Sequence, residues 1–471
     1  MMEERENYYE DDIIGAVNRF KSSLISGRTK YFDVSEFEGI VEQLLEEGDL
    51  QSSEIAAEQG IKIHPNAVPL QLKYAQILIN KGLYEKSLNF LQTAEQVDSN
   101  NPDVHLLKGS AQMVIGKETD ALMSFRKAIK YAGSEVDEIL YQIGSIYAQI
   151  GNIGKAIYYF EKTIHVNPSN DLALYDLGFF YDQENKLNKS IEFYNKYLDI
   201  DPFNQYVWFN LGTVYNKIEN HKKAIEAYEF AYALNGKFYM ALFNIGNALA
   251  NSEKYNEAID KYNEFLECEP ENDEAYCYIG ECYLNIEEYK KSEYYYNRAI
   301  EINKDNDTAW FGIGLIYWIG QNFEASINHV KKAIKLSKQN SEYFLTLGKI
   351  YKDFNDKTNA VLAIKKAARI EPENNEIWLT WTDLYLKFEE PENARRILRK
   401  GIKSNSNAIL KYRLVALLLA QKQRKEAYEI LSIALIQDYD QVEFLFELNP
   451  NLRKSNKLKK TIDEFKTYKR K

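Results

Sequence analysis

The sequence predicts an all-α fold: a right-handed α-solenoid, or superhelix, of about twelve helix-turn-helix repeats with helical caps. Three observations predict it. Glycine recurs at positions 144, 178, 212, 246, 280, 314 and 348, a constant interval of 34 residues over seven consecutive units. Twelve residues after each glycine stands a small residue: Ala156, Ser190, Ala224, Ala258, Ser292, Ser326 and Ala360. Four residues before it comes a large apolar one: Leu140, Leu174, Trp208, Leu242, Tyr276, Trp310 and Phe344. A glycine inside a helix costs about 0.5–1 kcal/mol relative to alanine, so its return at one phase needs a compensating gain. Close approach of two paired helices at that point supplies one.

Residues 205–238 show the unit in full. Trp208, Leu211, Gly212 and Tyr215 fall on one face of a first helix, because spacings of three and four residues stack on the same side. Ala224, Tyr228 and Ala231 do the same on a second helix, and the intervening NKIEN breaks the periodicity as a turn. Three residues after the glycine an aromatic recurs, as Tyr147, Tyr181, Tyr215, Tyr283, Tyr317 and Tyr351, with Leu249 the exception. W-x2-L-G-x2-Y, then A-x3-F/Y, a further alanine and a proline at a 34-residue period resembles the tetratricopeptide repeat.

Taken in order, residues 1–33 are not a repeat. Ile13, Val17, Phe20 and Leu24 stand at helical spacing there and predict a helix covering the exposed end of the array. Repeats one to three, residues 34–136, are divergent: Val41 and Ala75 occupy the glycine slot of the first two, and Gly109 restores it in the third. One extra residue, placed in a turn around Gly133 and Ser134, precedes repeat four. Repeats four to ten run through 137–374 without a gap. Asn and Asp before the apolar periodicity, as in SNDLAL, ENDEAY and DNDTAW, predict helix caps. Pro168, Pro202, Pro270 and Pro372 mark helix ends. Tyr197 and Phe265 replace a small residue and predict local irregularity of the superhelix near repeats five and seven. Repeats eleven and twelve, residues 375–441, are degenerate, with Thr382 in the glycine slot and a twelfth unit, starting at 409, one residue short. Residues 442–471 predict basic capping helices, broken at Pro450, the last using Leu458, Ile462 and Phe465.

The length of 471 residues would allow about three ordinary domains of roughly 150 residues, but a repeat array is one elongated body whose units touch only their neighbours. Net charge is −11, so nucleic acid is not expected as a partner, since phosphate binding needs clustered positive charge. No run reaches the 18 or more apolar residues of a membrane span. The acidic start MMEERENYYEDD has neither the basic beginning nor the apolar core of a secretory signal, and a cytoplasmic location is expected. Cys268, Cys277 and Cys282 lack zinc-type spacing and are expected as buried free thiols.

No catalytic, cofactor or metal-binding residue is predicted. GIGLIYWIG has the wrong spacing for a dinucleotide loop and no strand before it, and GxxxxGK[ST], HExxH and GxSxG are absent. His64, His105, His165, His221 and His329 are scattered over different repeats, His105 as a packing variant.

What the resemblance implies is a binding surface. First helices would line a concave groove exposing Tyr175, Asp176, Phe179 and Asp182, then Phe209, Asn210, Thr213 and Asn216, then Phe243, Asn244, Asn247 and Asn251. Amides can pair with a peptide backbone while rings cover its side chains. The carboxylate clamp known in this family needs Lys and Asn in one repeat, Asn in the next and Lys plus Arg in the third. Repeats six to eight offer Phe209 and Thr213, then Asn244, then Glu274 and Tyr278, so the cations are missing and capture of chaperone tails is disfavoured. The expectation is a non-enzymatic scaffold or adaptor holding a protein or extended peptide. The alternative is an RNA-binding helical-repeat protein, against which the charge and the 34-residue period count. A third, an enzyme with an unrecognised site, would need perturbed titratable groups clustered in a closed pocket.

Overall fold

A computed structural model describes residues 2–26, 30–447 and 449–469; the side chains of 2–12 and of the last five residues, where the acidic start and part of the basic tail fall, lie outside the description. Secondary structure among the described residues is helical throughout, without strands. The chain forms two compact units that divide between Asn235 and Gly236.

The N-terminal unit begins with the helix Met2–Ser26 and continues as six helix pairs, from Val34–Glu46 with Leu50–Ile63 to Gln205–Lys217 with His221–Leu234. Val17 and Phe20 of the opening helix are buried in one cluster with Phe37, Ile40 and Leu44 of the first pair. The extra residue before repeat four sits in a short 3-10 turn, Gly133–Glu135. The C-terminal unit holds six more pairs, from Met240–Asn251 with Tyr255–Cys268 to Ala408–Ala420 with Arg424–Gln437. Repeat twelve is not itself short. Its first helix opens at Ala408 with the usual thirteen residues, and the missing residue falls in the turn after Ser404. Leu445 of the short helix Phe444–Glu447 is buried with Leu410, Leu414 and Leu417, so the tail packs on the first helix of repeat twelve. Leu458 and Ile462 of Asn456–Lys469 join the same cluster.

The glycine ladder is explained by the bulk each glycine faces, a ring in repeats four to eight and Val330 or Ile364 in repeats nine and ten. A methyl group built on Gly212 would stand 2.7 Å from the Tyr228 ring, on Gly246 2.5 Å from Tyr262, and on Gly144 2.6 Å from Phe160. In each case the obstacle is the residue sixteen positions on, at the centre of the second helix. The small residue at twelve has a second use where it is serine. Ser190, Ser292 and Ser326 donate their hydroxyls to the carbonyls of Gly178, Gly280 and Gly314, each at 2.7 Å, bonding the two helices at their crossing.

Caps stand where the sequence places them: Asn170, Asn272 and Asn306 accept from the backbone N–H of Ala173, Ala275 and Ala309 at 2.8–2.9 Å. Within each pair the turn closes through a residue of positive φ, from Gly48 at 76° to Lys422 at 60°. In repeat six, Asn220 N–H reaches back to Tyr215 O at 2.9 Å across Glu219, which closes the first helix.

The two large residues at small positions fold inward. Tyr197 packs on Tyr175 with ring centroids 6.3 Å apart, and Phe265 on Phe243 at 5.2 Å, each within its own repeat. The first helices that follow them, Gln205–Lys217 and Asp273–Asn285, keep thirteen residues. The shorter first helix is instead Met240–Asn251, with twelve. Of the three thiols Cys277 and Cys282 are buried, but Cys268, the last residue of its helix, is exposed.

Candidate binding face

Eight of the predicted surface residues belong to the N-terminal unit. Tyr175, Asp176, Phe179 and Asp182 lie along Asp171–Gln183, and Phe209, Asn210, Thr213 and Asn216 along Gln205–Lys217. The two helices are neighbours, and their polar groups interlock. Asn210 Nδ2 donates to the Tyr175 hydroxyl at 3.3 Å, and Lys217 Nζ donates to both carboxylate oxygens of Asp182 at 2.8 and 2.7 Å. Thr213 accepts from the buried Tyr228 hydroxyl at 3.2 Å, and the Asn216 side-chain oxygen lies 2.8 Å from His221 Nδ1. Phe209 packs on Tyr228, centroids 5.4 Å apart. Phe179, 39% exposed, is the most open of the eight, its edge against Phe180.

Asp176 is half-buried, and burial raises its carboxyl above the ordinary value while a hydrogen bond from Tyr141 partly offsets this. Burial also pushes the Tyr141 hydroxyl up to about 12, with the nearby Asp176 charge adding to the shift. Tyr141, Asp176, Tyr175 and Asn210 therefore form a polar row across the first helices of repeats four to six.

The remaining four belong to the C-terminal unit. Asn247 Nδ2 donates to Asn244 Oδ1 at 3.3 Å, and Asn247 Oδ1 accepts from Tyr262 at 2.7 Å. Phe243, only 8% exposed, is core: it is enclosed by Phe265, Tyr262 and Tyr278 and offers no ring to a ligand. Asn251 is exposed at the end of its helix but one residue out of phase, since Ala250 stands 34 residues after Asn216.

Sequence reading missed a rule that links adjacent first helices. Asn210 with Tyr175, Lys217 with Asp182, and Trp318 Nε1 with Asp353 at 3.1 Å are all pairs 35 residues apart. Neighbouring first helices are displaced by one residue relative to the 34-residue period. A search for complementary side chains at that separation would have found them.

Clustered titratable groups are present in repeats seven and eight, but burial drives them toward their neutral forms. Desolvation pushes Cys277 and Cys282 up to about 12, and raises Tyr262, Tyr296 and Glu281. A reactive thiol needs the opposite shift. Among the described residues no three His, Cys, Asp or Glu side chains are placed to hold a metal ion, and no helix is long and apolar enough to cross a membrane.

Comparison with known proteins agrees with the geometry. Four family profiles, each described as Tetratricopeptide repeat, match residues 44–111, 137–170, 172–204, 193–226, 243–307, 307–340 and 341–374, together more than half of the chain. No curated protein matches. Solved structures that match include MamA, 25% identical over 36% of this chain and 93% of its own, with a TM-score of 0.35. Yeast Tom70 is 13% identical over 82% of this chain and 94% of its own, with a TM-score of 0.41. YrrB, titled a TPR protein with an unusual peptide-binding site, is 21% identical over 40% of this chain and 96% of its own, with a TM-score of 0.30.

Proposed function

Because the chain belongs to the tetratricopeptide-repeat family, whose members bind proteins or peptides, we propose that it is a non-enzymatic scaffold holding a partner on its first-helix face. Repeats five and six carry the centre of this face in our reading. The observation behind it is the polar row that ends on Asn210, set beside the open ring of Phe179. An extended segment crossing both helices would meet amide groups for its backbone and a ring for one side chain. In the C-terminal unit, Asn244 and Asn247 carry amides of the same kind on the first helix of repeat seven. The three free thiols suit a reducing compartment, so we place the protein in the cytoplasm.

Affinity capture from native lysate tests the proposal, comparing the intact chain with Phe179→Ala combined with Asn210→Ala and Asn216→Ala. These side chains are not core, so the fold should persist. The proposal expects partners lost from the variant while its helical circular dichroism stays unchanged. Identical partner sets for the two proteins would refute the face.

A further inference from the structure

The C-terminal unit carries a second surface, on its second helices. A cleft of about 670 Å³ lies among repeats nine and ten, bordered by Lys331, Lys335, Lys338, Lys366 and Arg369, and no carboxylate lines it. In a chain of net charge −11 this is a local reversal of sign. All five cations are exposed, and among the described residues none of Lys335, Lys338, Lys366 and Arg369 is ion-paired. Glu371, next to Ile370, does not line the cleft, and its carboxylate accepts from Ser341 at 2.5 Å and Asn374 at 3.2 Å.

Helix ends alone do not account for so many cations. Phe323–Leu336 and Lys357–Ile370 both end at the cleft, and each helix C-terminus carries roughly −0.5 charge. Two ends therefore offset about one of the five positive charges. The surplus is available to a ligand.

Between the cations, Ile334, Phe344 and Ile370 give the cleft an apolar lining, with Lys366 Nζ 5.2 Å from the Phe344 centroid. An RNA strand would look for exposed rings on which to stack its bases; Phe344 is buried and lies beneath Lys366. Four of the five cations are lysines, compact point charges without the fixed fork that phosphate favours. We propose that this cleft docks an Asp/Glu-rich peptide segment, its carboxylates on the lysines and one apolar side chain against Ile334 and Ile370. The site is separate from the first-helix face and stands or falls independently of it.

The test is fluorescence anisotropy on the full chain with labelled probes. These are a peptide with one Phe among Asp and Glu, its neutral Asn/Gln counterpart, a phosphoserine version, and a single-stranded RNA of equal charge. The acidic peptide should bind, more weakly as salt rises, and the neutral one at least about tenfold less tightly. K366E/R369E and, on the other helix, K335E/K338E should each weaken binding about tenfold or more. The same reversal at K222E/K223E in the N-terminal unit should leave it unchanged. Circular dichroism identifies a reversal that unfolds, and the pair on the other helix then decides. Failure of the acidic peptide to bind, equal binding of the neutral one, indifference to both cleft reversals, or equal loss from the distant control overturns the proposal. Tighter binding of the phosphorylated peptide or the RNA overturns it in favour of phosphate.

Discussion

Repeats one to four and repeats five to twelve build the same turn from different residues. In the first group the left-handed position is Gly48, Gly82, Gly116 or Gly151, with φ between 74° and 80°. In the second it is Asn185, Glu219, Glu253, Glu287, Gln321, Asn355, Glu389 or Lys422, with φ between 55° and 63°. An L-residue there costs roughly 1–2 kcal/mol, yet eight turns in succession accept it. The glycine of the helix crossing follows another distribution. Repeats one and two have Val41 and Ala75 at the crossing, repeats three and four have glycine in both places, and repeats five to ten have it at the crossing alone. The turn residue therefore varies independently of the crossing. Phe125 and Phe160 enter the crossings of repeats three and four, whose turns are glycine, whereas Val330 and Ile364 face the crossing glycines of repeats nine and ten, whose turns are Gln321 and Asn355.

The largest effect expected from this contrast is at the crossing. Gly212→Val should destabilise repeat six by about 3 kcal/mol, because overpacking against Tyr228 outweighs the gain of about 0.5 kcal/mol or less in helix propensity. Urea denaturation read by hydrogen exchange in 205–234 measures it, and adding Tyr228→Leu should recover part of the loss. Ala75→Val in repeat two, where the facing residue is the aliphatic Leu91, should cost less.

The divergent end is held by charge as well as by packing. Glu95 of repeat two meets Lys108 and Lys127 of repeat three, the latter at 3.0 Å. Burial raises its carboxyl, but the two lysines outweigh that and hold it at about 2. Since the folded value lies below the ordinary 4.5, this stability is present above about pH 4.5 and disappears as pH falls through 2. Glu95→Gln should therefore cost about 1–2 kcal/mol at pH 7, discounted for partial exposure, and only a small remainder of that at pH 2. Urea midpoints at the two pH values provide the measurement.

The smallest effects are at the turns. Gly82→Ala should destabilise by about 1 kcal/mol, and Glu219→Gly should stabilise by about 0.5–1 kcal/mol, the relief of left-handed strain exceeding the entropy of the freed chain. Thermal melts of both variants compare the two regions directly. A stabilising Gly82→Ala would remove the distinction drawn between them.

Much of the fold was legible because its strongest constraint recurs: a ring or a branched aliphatic side chain needs a missing side chain opposite it, and that leaves a mark every 34 residues. The asparagine caps were legible for the same reason. The left-handed residue of most turns in repeats five to twelve was not, since Glu, Gln and Lys, unlike Asn185 and Asn355, carry no signal for that conformation. Phe243 was misread as a surface ring because its exposure depends on a residue 22 positions later. Phe265 covers it there, whereas the same slot opposite Phe209 holds Ala231. Tyr197 and Phe265 fill space within their own repeats, against Tyr175 and Phe243. Cys268 is exposed because it is a terminal residue, which hydrophobicity alone does not reveal.

The short helix Phe444–Glu447 has one further consequence. A stack of like units presents at its last member a surface shaped to receive another, and such a heterologous contact, repeated, grows filaments. By seating Leu445 against the first helix of repeat twelve, the chain occupies that surface with its own residues. Deleting 442–471 should leave a sticky end, visible in light scattering as concentration-dependent pairing that the intact chain does not show; growth stops there, because Met2–Ser26 still covers the first repeat.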